Sequence, residues 1–361
     1  MDLLKYAASY FKILCKRWTP FFTDEIPVLY IELLKKCNLK CVYCNYSRYN
    51  DNDDEVKLSY DDFKNNIIPS ARKLNTKIIS LSGGEPLMHP ELFSIIKLIT
   101  DNDIIIHLNT NGSLIDKDII NKFYEYRIKN INISLDSINA EVNNKIRSGI
   151  DTEKLLEGIE NLIKRIPDIN LSLNCTLSLK NLDSVNDIII FMKKCKINNI
   201  NFNLISSSNQ FKNNKIEKLS FFNDEQKKIF FNKIFELKNT LKHEKIHSNI
   251  HETIKFGTYY LNSLHIPISC FAGYALINID PYGNVFPCYN LKSHYNIRNN
   301  DLYSIASSLE FKKHLKNVGK CRRISYCCGS QEISYLFNLH HIIFDLKFII
   351  SKIDFVLKFK R

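Results

Sequence analysis

Cysteine is the residue type that most strongly suggests chemistry in this chain of 361 residues. Three of the eleven cysteines fall within one short segment, at Cys37, Cys41 and Cys44. Closely spaced thiolates bind either zinc or an iron–sulfur cluster. A structural zinc ion takes four protein ligands, whereas three thiolates on a cubane of four irons would leave one iron open to a substrate atom. Spacing alone leaves both metals open.

A second, looser group of cysteines lies in the C-terminal third of the chain. Its members are Cys270, Cys288, Cys321, Cys327 and Cys328. The other cysteines are isolated in the sequence: Cys15, Cys175 and Cys195. An isolated cysteine is commonly a small buried hydrophobe. Since the N-terminus does not read as a secretory signal, we expect a cytoplasmic protein whose cysteines are thiols or metal ligands, not disulfides.

The elements that must position the first cysteine group alternate along the chain. Apolar segments indicate strands at 28–34 and near 77–82, 104–109, 130–135, 170–178 and 200–205. Helical patterns lie between them, near 58–73, 90–101, 114–126, 152–165 and 183–195. Such alternation predicts βαβ units and a parallel sheet, and six strands are two short of a closed (β/α)8 barrel.

Each predicted strand has an apolar face and a polar face. Near residue 132, for example, Ile131 and Ile133 lie opposite Asn132 and Ser134. This pattern suggests that helices cover the apolar face while a polar inner face holds a ligand. A sheet with one solvated face is the alternative. Cys175 falls on the apolar side of its strand and is therefore predicted to be a core residue.

Composition limits the class of protein. A hydrophobic fraction of 45% is that of a globular chain, and no apolar run approaches the roughly 20 residues needed to span a bilayer. The net charge of +12 favours anionic partners, but no nucleic-acid recognition motif accompanies it. The apolar and basic segment 342–361 is predicted to pack on the protein, with weak membrane-surface contact as the alternative.

Ser82-Gly83-Gly84-Glu85-Pro86 follows the second predicted strand, as the three cysteines follow the first. Together with the C-x3-C-x2-C spacing and Tyr43 before the last cysteine, this segment resembles the radical S-adenosylmethionine superfamily. The resemblance extends over about residues 28–205. It implies an α/β fold, a partial (β/α)6 barrel with a smaller C-terminal iron–sulfur domain. A non-catalytic iron–sulfur or zinc protein would leave Gly83-Gly84-Glu85 unexplained.

The resemblance implies a role for each matching residue. The ligands of a 4Fe–4S cluster would be Cys37, Cys41 and Cys44. The residues at S-adenosylmethionine would be Tyr43 near the adenine, Gly83, Gly84 and Glu85 at the amino group, and Ser134 and Arg147 at the ribose and carboxylate. For Arg147, a plain surface charge on an exposed helix is the alternative.

In this superfamily an electron from the cluster cleaves the sulfonium of S-adenosylmethionine, and the resulting 5′-deoxyadenosyl radical removes a hydrogen from an unactivated carbon. The cofactor supplies the difficult chemistry, and the protein supplies orientation. A reducing partner such as flavodoxin or ferredoxin is implied. The sequence does not indicate which residue would act as the catalytic base.

The second cysteine group has a spacing of its own. Cys270, Gly283 and Cys288 form a C-x12-G-x4-C pattern that resembles the opening of SPASM and Twitch extensions, which carry auxiliary 4Fe–4S clusters. Five cysteines are too few for two such clusters, so one is expected. The expected ligands are Cys270, Cys288, Cys321 and Cys327, with Cys328 as the alternative to Cys327. A structural zinc site is the competing interpretation.

These features predict a division into five parts. The parts are an N-terminal extension (1–27), the barrel (28–215), a helical linker (216–265), the auxiliary cluster domain (266–335) and a hydrophobic, basic tail (336–361). SPASM and Twitch relatives modify ribosomal peptides or oxidise small sugar-like alcohols. Because 27 residues are too few for a peptide-leader domain, we expect a small-molecule or carbohydrate substrate, with a peptide as the alternative.

Overall fold

The computed structural model describes residues 3–19, 24–44, 46, 56–205, 223–261, 270–288, 291 and 294–319. Three cysteines expected near the auxiliary cluster lie outside the described residues: Cys321, Cys327 and Cys328. The predicted C-terminal tail lies outside them as well.

A nine-stranded sheet forms the centre of the protein, with strands in the order β11-β10-β1-β3-β4-β5-β7-β8-β9. All neighbouring pairs in it are parallel except β10 and β11. Its strands are β1 (Val28–Glu32), β3 (Ile78–Ser82), β4 (Ile105–Thr110), β5 (Asn130–Ser134), β7 (Asn170–Leu177), β8 (Asn199–Leu204), β9 (His247–Ser248), β10 (Leu276–Ile279) and β11 (Val285–Phe286). The remaining pair, β2 (Lys40–Cys41) and β6 (Arg147–Ser148), forms a separate antiparallel ladder.

The helices before residue 205 are α1 (Leu3–Trp18), α2 (Tyr60–Asp62), α3 (Ile68–Lys73), α4 (Leu92–Thr100), α5 (Lys117–Glu125), α6 (Ala140–Ile146), α7 (Thr152–Arg165) and α8 (Val185–Cys195). The helices after residue 222 are α9 (Asp224–His243), α10 (Ile250–Leu261), α11 (Leu302–Ser307) and α12 (Leu309–Gly319). A π turn at Phe63–Ile67 joins α2 to α3. Asp116, Asn139 and Asp151 cap α5, α6 and α7 by accepting hydrogen bonds from first-turn amides, which explains where these helices begin.

The prediction of a parallel α/β fold with six βαβ-type strands is confirmed: β1, β3, β4, β5, β7 and β8 lie side by side in chain order. Their apolar residues are fully buried, including Leu29, Ile79, Leu108 and Leu173. On the opposite face, His107 and its neighbours on the other strands are polar and mostly half-buried. The sheet therefore has the buried outer face and the polar inner face that the alternation indicates.

Residues from the C-terminal third are joined to this same sheet. β10 pairs in parallel with β1, with Leu29 opposite Ile277, and β11 extends the edge further. The C-terminal third also contacts the N-terminal residues outside the strands. Helix α11 packs on α3, and the Lys312 ammonium lies 2.7 Å from the Asp24 carboxylate. The region that contains Cys270 and Cys288 is thus built onto β1, the strand that leads to the first three cysteines.

Candidate active site at the end of the first strands

Two glycines place the loop after β3 against the backbone that leads to Cys37. The Gly84 amide donates to Leu34 O at 2.8 Å, and the Glu85 amide donates to Lys36 O at 2.9 Å. A Cβ atom on Gly84 would lie 1.9 Å from Lys36 O, and one on Gly83 would lie 2.7 Å from Leu34 O. Gly83 also has φ of +118°, which L side chains rarely adopt. Only glycines allow these two loops to approach this closely.

Gly84→Ala is expected to separate the two loops, because the new methyl group would collide with rigid backbone and not with a flexible side chain. Gly257→Ala is the matched control, since its methyl group would meet only the Leu204 side chain, at 3.1 Å. We expect the first variant to lose about 2 kcal/mol or more of unfolding free energy in chemical denaturation, and the second to lose little. Equal stability of the two variants would contradict this.

Glu85 lies wholly inside the protein, at 0% exposure. Its carboxylate accepts hydrogen bonds from Thr110 Oγ1 at 2.6 Å, from the Asn111 amide at 2.8 Å and from the Leu87 amide at 3.0 Å. Burial raises the pKa of Glu85 above its usual value, although these donors oppose the shift. These contacts tie the glycine loop to the end of β4 and give Glu85 a positioning role there.

The three clustered cysteines lie on the loop that these glycines support. Cys41 is 9% exposed, and Cys37 and Cys44 are half-buried. The Asn111 amide group lies 3.9 Å from the Cys37 sulfur, and burial raises the pKa of that thiol to about 11. Burial also raises the pKa of Cys41, while the nearby Arg147 opposes the shift. The loop therefore carries three cysteines, with an N–H group of Asn111 near Cys37 and the cation of Arg147 near Cys41. N–H and cationic groups near sulfur suit an anionic iron–sulfur cluster.

A short ladder fixes the middle of the cysteine segment. β2 pairs with β6, placing Cys41 opposite Arg147, and the Val42 amide donates to Ile146 O at 2.9 Å. The alternative of Arg147 as a surface charge on an exposed helix is wrong. Arg147 is 6% exposed and lies in this ladder, because its pairing with a buried carboxylate draws it inward.

That carboxylate belongs to Asp136, which is 0% exposed. Arg147 Nε lies 2.8 Å from Asp136 Oδ2, and Arg147 Nη2 donates to Asp136 Oδ1 at 3.2 Å. The Tyr43 hydroxyl donates to the same carboxylate, and the Arg147 guanidinium carbon lies 5.8 Å from the Tyr43 ring centre. Burial raises the pKa of Tyr43 well above its usual value. The half-buried Tyr43 thus joins the buried pair of Asp136 and Arg147 in one group beside Cys41.

Asp136 also joins this group to the next strands. The Thr176 amide donates to Asp136 Oδ1 at 2.7 Å, and the Asn181 side chain donates to Asp136 O at 2.8 Å. The Asn143 side chain in turn accepts a hydrogen bond from the Asp136 amide at 3.2 Å. The cysteine loop is therefore fixed on one side by the glycines after β3 and on the other by Asp136 after β5.

Sequence reasoning did not assign roles to Asp136 and Asn111. Both follow the carboxyl end of a strand, and parallel strands gather such residues at one edge of a sheet. Their position after a strand was therefore the sequence feature that could have identified them. The contacts that give these residues their roles, Asp136 with Arg147 and Asn111 with Cys37, are made across separate elements and leave no local pattern.

Amide side chains form ladders across the inner face of the sheet. In one ladder, Asn199 donates to Asn170 at 3.1 Å and Asn170 donates to Asn130 at 3.0 Å. In others, Asn132 donates to Asn109 at 2.9 Å and Asn201 donates to Asn174 at 3.1 Å. Burial lowers the pKa of His107 to about 4, so this histidine is neutral near pH 7. The middle of the inner face is thus polar but uncharged.

Nearer the carboxyl ends of the strands, three polar side chains remain available. Ser134 ends β5, while Thr176 of β7 lies directly opposite Asn203 of β8. All three are half-buried, and among the described residues none of their side chains has a hydrogen-bond partner. Ser134, predicted to contact the ribose, thus lies on the inner face near Asp136. These groups can bind a neutral ligand by hydrogen bonds.

The other cysteines and the nearest histidine have separate surroundings. Cys175 is fully buried, as predicted for a core residue. Cys270 and Cys288 are half-buried thiols on either side of the β10–β11 hairpin. His89 Nε2 lies 2.8 Å from Leu58 O, so this ring supports the backbone that leaves the cysteine segment. Over the described part of the chain, no three His, Cys, Asp or Glu side chains are grouped to hold a single metal ion. No helix there is both long and apolar enough to cross a membrane.

Comparison with known proteins agrees with this geometry. Residues 31–192 match the family model of the radical SAM superfamily. A probable GTP 3′,8-cyclase of Methanococcus maripaludis is 36% identical over 141 residues, which are 39% of this chain and 46% of that protein. The AdoMet-dependent heme synthase of Methanosarcina barkeri is 32% identical over 155 residues, which are 43% of each chain. The chain thus spans about half the length of the curated relatives that it matches.

Structural similarity extends further along the chain. Crystal structures of Streptococcus suis SuiB, bound to S-adenosylmethionine or to its precursor peptide SuiA, both superpose with a TM-score of 0.65. The first is 15% identical and the second 16%; each match covers 87% of this chain, and 72% and 71% of SuiB respectively. At this identity the similarity concerns the fold. The radical SAM family uses a 4Fe–4S cluster and S-adenosylmethionine. Residues 31–192 are accordingly similar to the radical SAM domain, and the fold of the longer chain is similar to that of the SuiB structures.

Proposed function

We propose that Cys37, Cys41 and Cys44 hold a 4Fe–4S cluster, and that the chain uses it with S-adenosylmethionine to oxidise a carbon centre of its substrate. The observation that carries this proposal is the contact between the two motifs. Gly84 packs directly on Lys36, the residue before Cys37. A structural zinc loop would have no need of this second loop, whereas a cofactor bound at an open iron requires both.

When bound, the cluster and S-adenosylmethionine would supply a 5′-deoxyadenosyl radical that abstracts hydrogen. The chain's own residues would bind the cluster and S-adenosylmethionine and orient them. Asn111 and Arg147 place N–H groups near the sulfur ligands, and hydrogen bonds to sulfur tune such clusters. Tyr43 and Ser134 are proposed beside the adenine and the ribose. Gly83 and Gly84 are proposed to offer their backbone to the amino group, with Glu85 holding that loop in place.

For the substrate, we propose a small molecule or carbohydrate with neutral hydrogen-bonding groups. The side chains of Thr176 and Asn203 have no hydrogen-bond partner among the described residues, and the amide ladder of Asn201 and Asn174 on the same two strands is uncharged. Hydroxyl groups could satisfy these side chains. A carboxylate or phosphate would find no matching cation among them, and burying an unpaired charge is costly.

A peptide is the second candidate, because backbone amides are also neutral donors and acceptors. The fold similarity to SuiB, which was crystallised with a precursor peptide, gives this candidate its specific support. Asn203→Leu tests whether this face binds a substrate. Both candidates require such binding, whereas a non-catalytic protein does not. The variant should reduce turnover of the true substrate while leaving S-adenosylmethionine cleavage intact, since Asn203 lies on β8 opposite Thr176 and is not part of the cysteine loop or the glycine loop.

We further propose an auxiliary 4Fe–4S cluster at Cys270, Cys288, Cys321 and Cys327 or Cys328. Anaerobically reconstituted protein should then contain about eight irons, and release 5′-deoxyadenosine with a strong reductant and no added substrate. Replacing Cys270, Cys288 and Cys321 by alanine should leave about four irons and preserve this release, while abolishing product formation. Zinc in the purified protein, or loss of deoxyadenosine release in this variant, would contradict the two-cluster assignment.

A further inference from the structure

A hairpin from the C-terminal third reaches the cysteine segment. It consists of β10, a turn and β11, and the turn is fixed by Asp280, whose carboxylate accepts hydrogen bonds from the Tyr282 amide at 2.9 Å and the Asn284 amide at 2.8 Å. Gly283, with φ of +84°, allows the chain to reverse here. The turn therefore presents the Tyr282 side chain in a defined orientation.

Tyr282 contacts the backbone segment that enters the cysteine segment. We call residues 33–36 the incoming stem and residues 56–58 the outgoing stem. The Lys35 ammonium, on a residue only 7% exposed, donates a hydrogen bond to the Tyr282 hydroxyl. Lys35 also interacts electrostatically with Asp280, whose pKa is raised by burial and lowered in part by this lysine. The hairpin thus holds the side chain that lies two residues before Cys37.

Arg298 makes the matching contact at the outgoing stem. Its Nη2 donates to Lys57 O at 3.1 Å and to Asp62 Oδ2 at 3.0 Å, and its Nε donates to Asp62 Oδ1 at 3.2 Å. The last two bonds form a bidentate pair with a carboxylate, a geometry that fixes orientation as well as distance. Asp62 itself caps α2 through Ser59, so Arg298 joins the outgoing stem to the start of that helix.

The two contacts belong to one connected group. Arg298 Nη1 donates to Tyr282 O at 3.4 Å, and the Asn296 side chain donates to the same oxygen at 3.0 Å. The stems are also paired with each other, since the Lys35 amide donates to Val56 O at 3.0 Å and the Leu58 amide donates to Leu33 O at 2.8 Å. One surface of the C-terminal third therefore holds both ends of the segment that contains Cys37, Cys41 and Cys44.

We propose that Tyr282 and Arg298 act as a clamp that positions the cysteine segment for cluster and cofactor binding. They are positioning residues, because they act through Lys35 and the outgoing stem. Cys288 lies two residues after the end of β11, in the segment that leaves the hairpin. The hairpin therefore also connects the Cys288 region to the first cysteine group, through the contact of Tyr282 with Lys35. The role in cofactor binding rests on the proposed function, whereas the mechanical role does not.

Hydrogen–deuterium exchange of the metal-free chain tests the mechanical role. The variants are Tyr282→Phe, which removes only the hydroxyl, Arg298→Gln, and both together. Lys194→Gln is the control, because Lys194 of α8 forms an exposed ion pair with Glu160 of α7. Losing a charge-assisted bidentate contact should raise exchange of the Lys35 and Leu58 amides roughly tenfold in Arg298→Gln, and more in the double variant. Arg298→Lys should restore only part of the protection.

Exchange in β5 and β7 should not change in any of these variants. Unaltered protection at both stems, or equal loss of protection across the whole sheet, would overturn the clamp.

In the reconstituted protein, the double variant should raise the KM for S-adenosylmethionine several-fold with a smaller change in kcat. It should also alter the electron paramagnetic resonance spectrum of the reduced cluster with the cofactor present. An unchanged spectrum together with an unchanged KM would overturn the role in cofactor binding. If wild-type protein released no deoxyadenosine, the proposed function would fail while the exchange result would still decide the clamp.

Discussion

Replacing Cys37, Cys41 and Cys44 together by alanine is expected to reduce 5′-deoxyadenosine release to background. The physical reason is that these three sulfurs are the proposed ligands of the cluster that delivers the electron. The loss should be complete, because the other described cysteines stand singly in the sequence and offer no second set of three thiols in one loop. Release would be measured by liquid chromatography after anaerobic incubation with dithionite and S-adenosylmethionine.

The iron content distinguishes this loss from unfolding. About four of about eight irons should remain, since the auxiliary cluster would keep its own ligands. Cys195→Ser is the matched control, because this half-buried thiol lies at the end of α8 and should change neither the iron content nor the release. Deoxyadenosine formation that survives loss of the three cysteines would refute the mechanism.

Asp136→Asn is expected to cause the largest loss of stability among single polar substitutions. It would leave the Arg147 guanidinium buried at 6% exposure without its carboxylate partner. Burial alone would lower the pKa of Arg147, and Asp136 is the main group that raises it above the usual value. Because arginine stays protonated in proteins, Asp136→Asn would leave a buried charge without its counter-ion. Breaking a buried pair in this way costs about 3–5 kcal/mol, which urea denaturation of the metal-free chain would measure.

Two further variants isolate the buried charge as the cause. Asp168→Asn removes the acid of an exposed ion pair with Lys129 and should cost at most about 1 kcal/mol. The double variant Asp136→Asn with Arg147→Met removes both charges and should recover much of the lost stability, since the uncompensated guanidinium is gone. A loss below about 1 kcal/mol for Asp136→Asn would contradict the account.

The core of the fold was predictable because each strand repeats a local pattern. Apolar alternation located β4 and β7 to within a residue or two, and the helices between them followed from their own periodicity. The short α6 (Ala140–Ile146) was not predicted, since seven residues show little periodicity. The pairing of β10 with β1 was not predicted either, because strands about 250 residues apart share no local signal.

The site divides in the same way. The cysteines and Gly83-Gly84-Glu85 stand in short motifs, so they could be recognised without a structure. Arg147 could not be interpreted correctly, because its partner Asp136 is eleven residues away and β6 is only two residues long. The positions of Tyr282 and Arg298 depend on contacts spanning more than 230 residues of sequence, which no spacing rule describes. Residues that carry the chemistry can be recognised from short motifs, whereas the residues that position them are recognised only from the tertiary fold.

The position of β10 beside β1 has a consequence for biosynthesis. Of the described strands β1 is made first, yet its neighbour on one side is β10, whose four residues are all buried in the finished protein. At about 5–20 residues per second, a ribosome needs roughly 10–50 s to make the intervening chain. During that time Leu29 and Ile31 would stand on an unprotected sheet edge, which is a template for aggregation. We expect nascent chains truncated before Leu276 to associate with one another or with chaperones, and slower synthesis of this region to lower the yield of soluble protein.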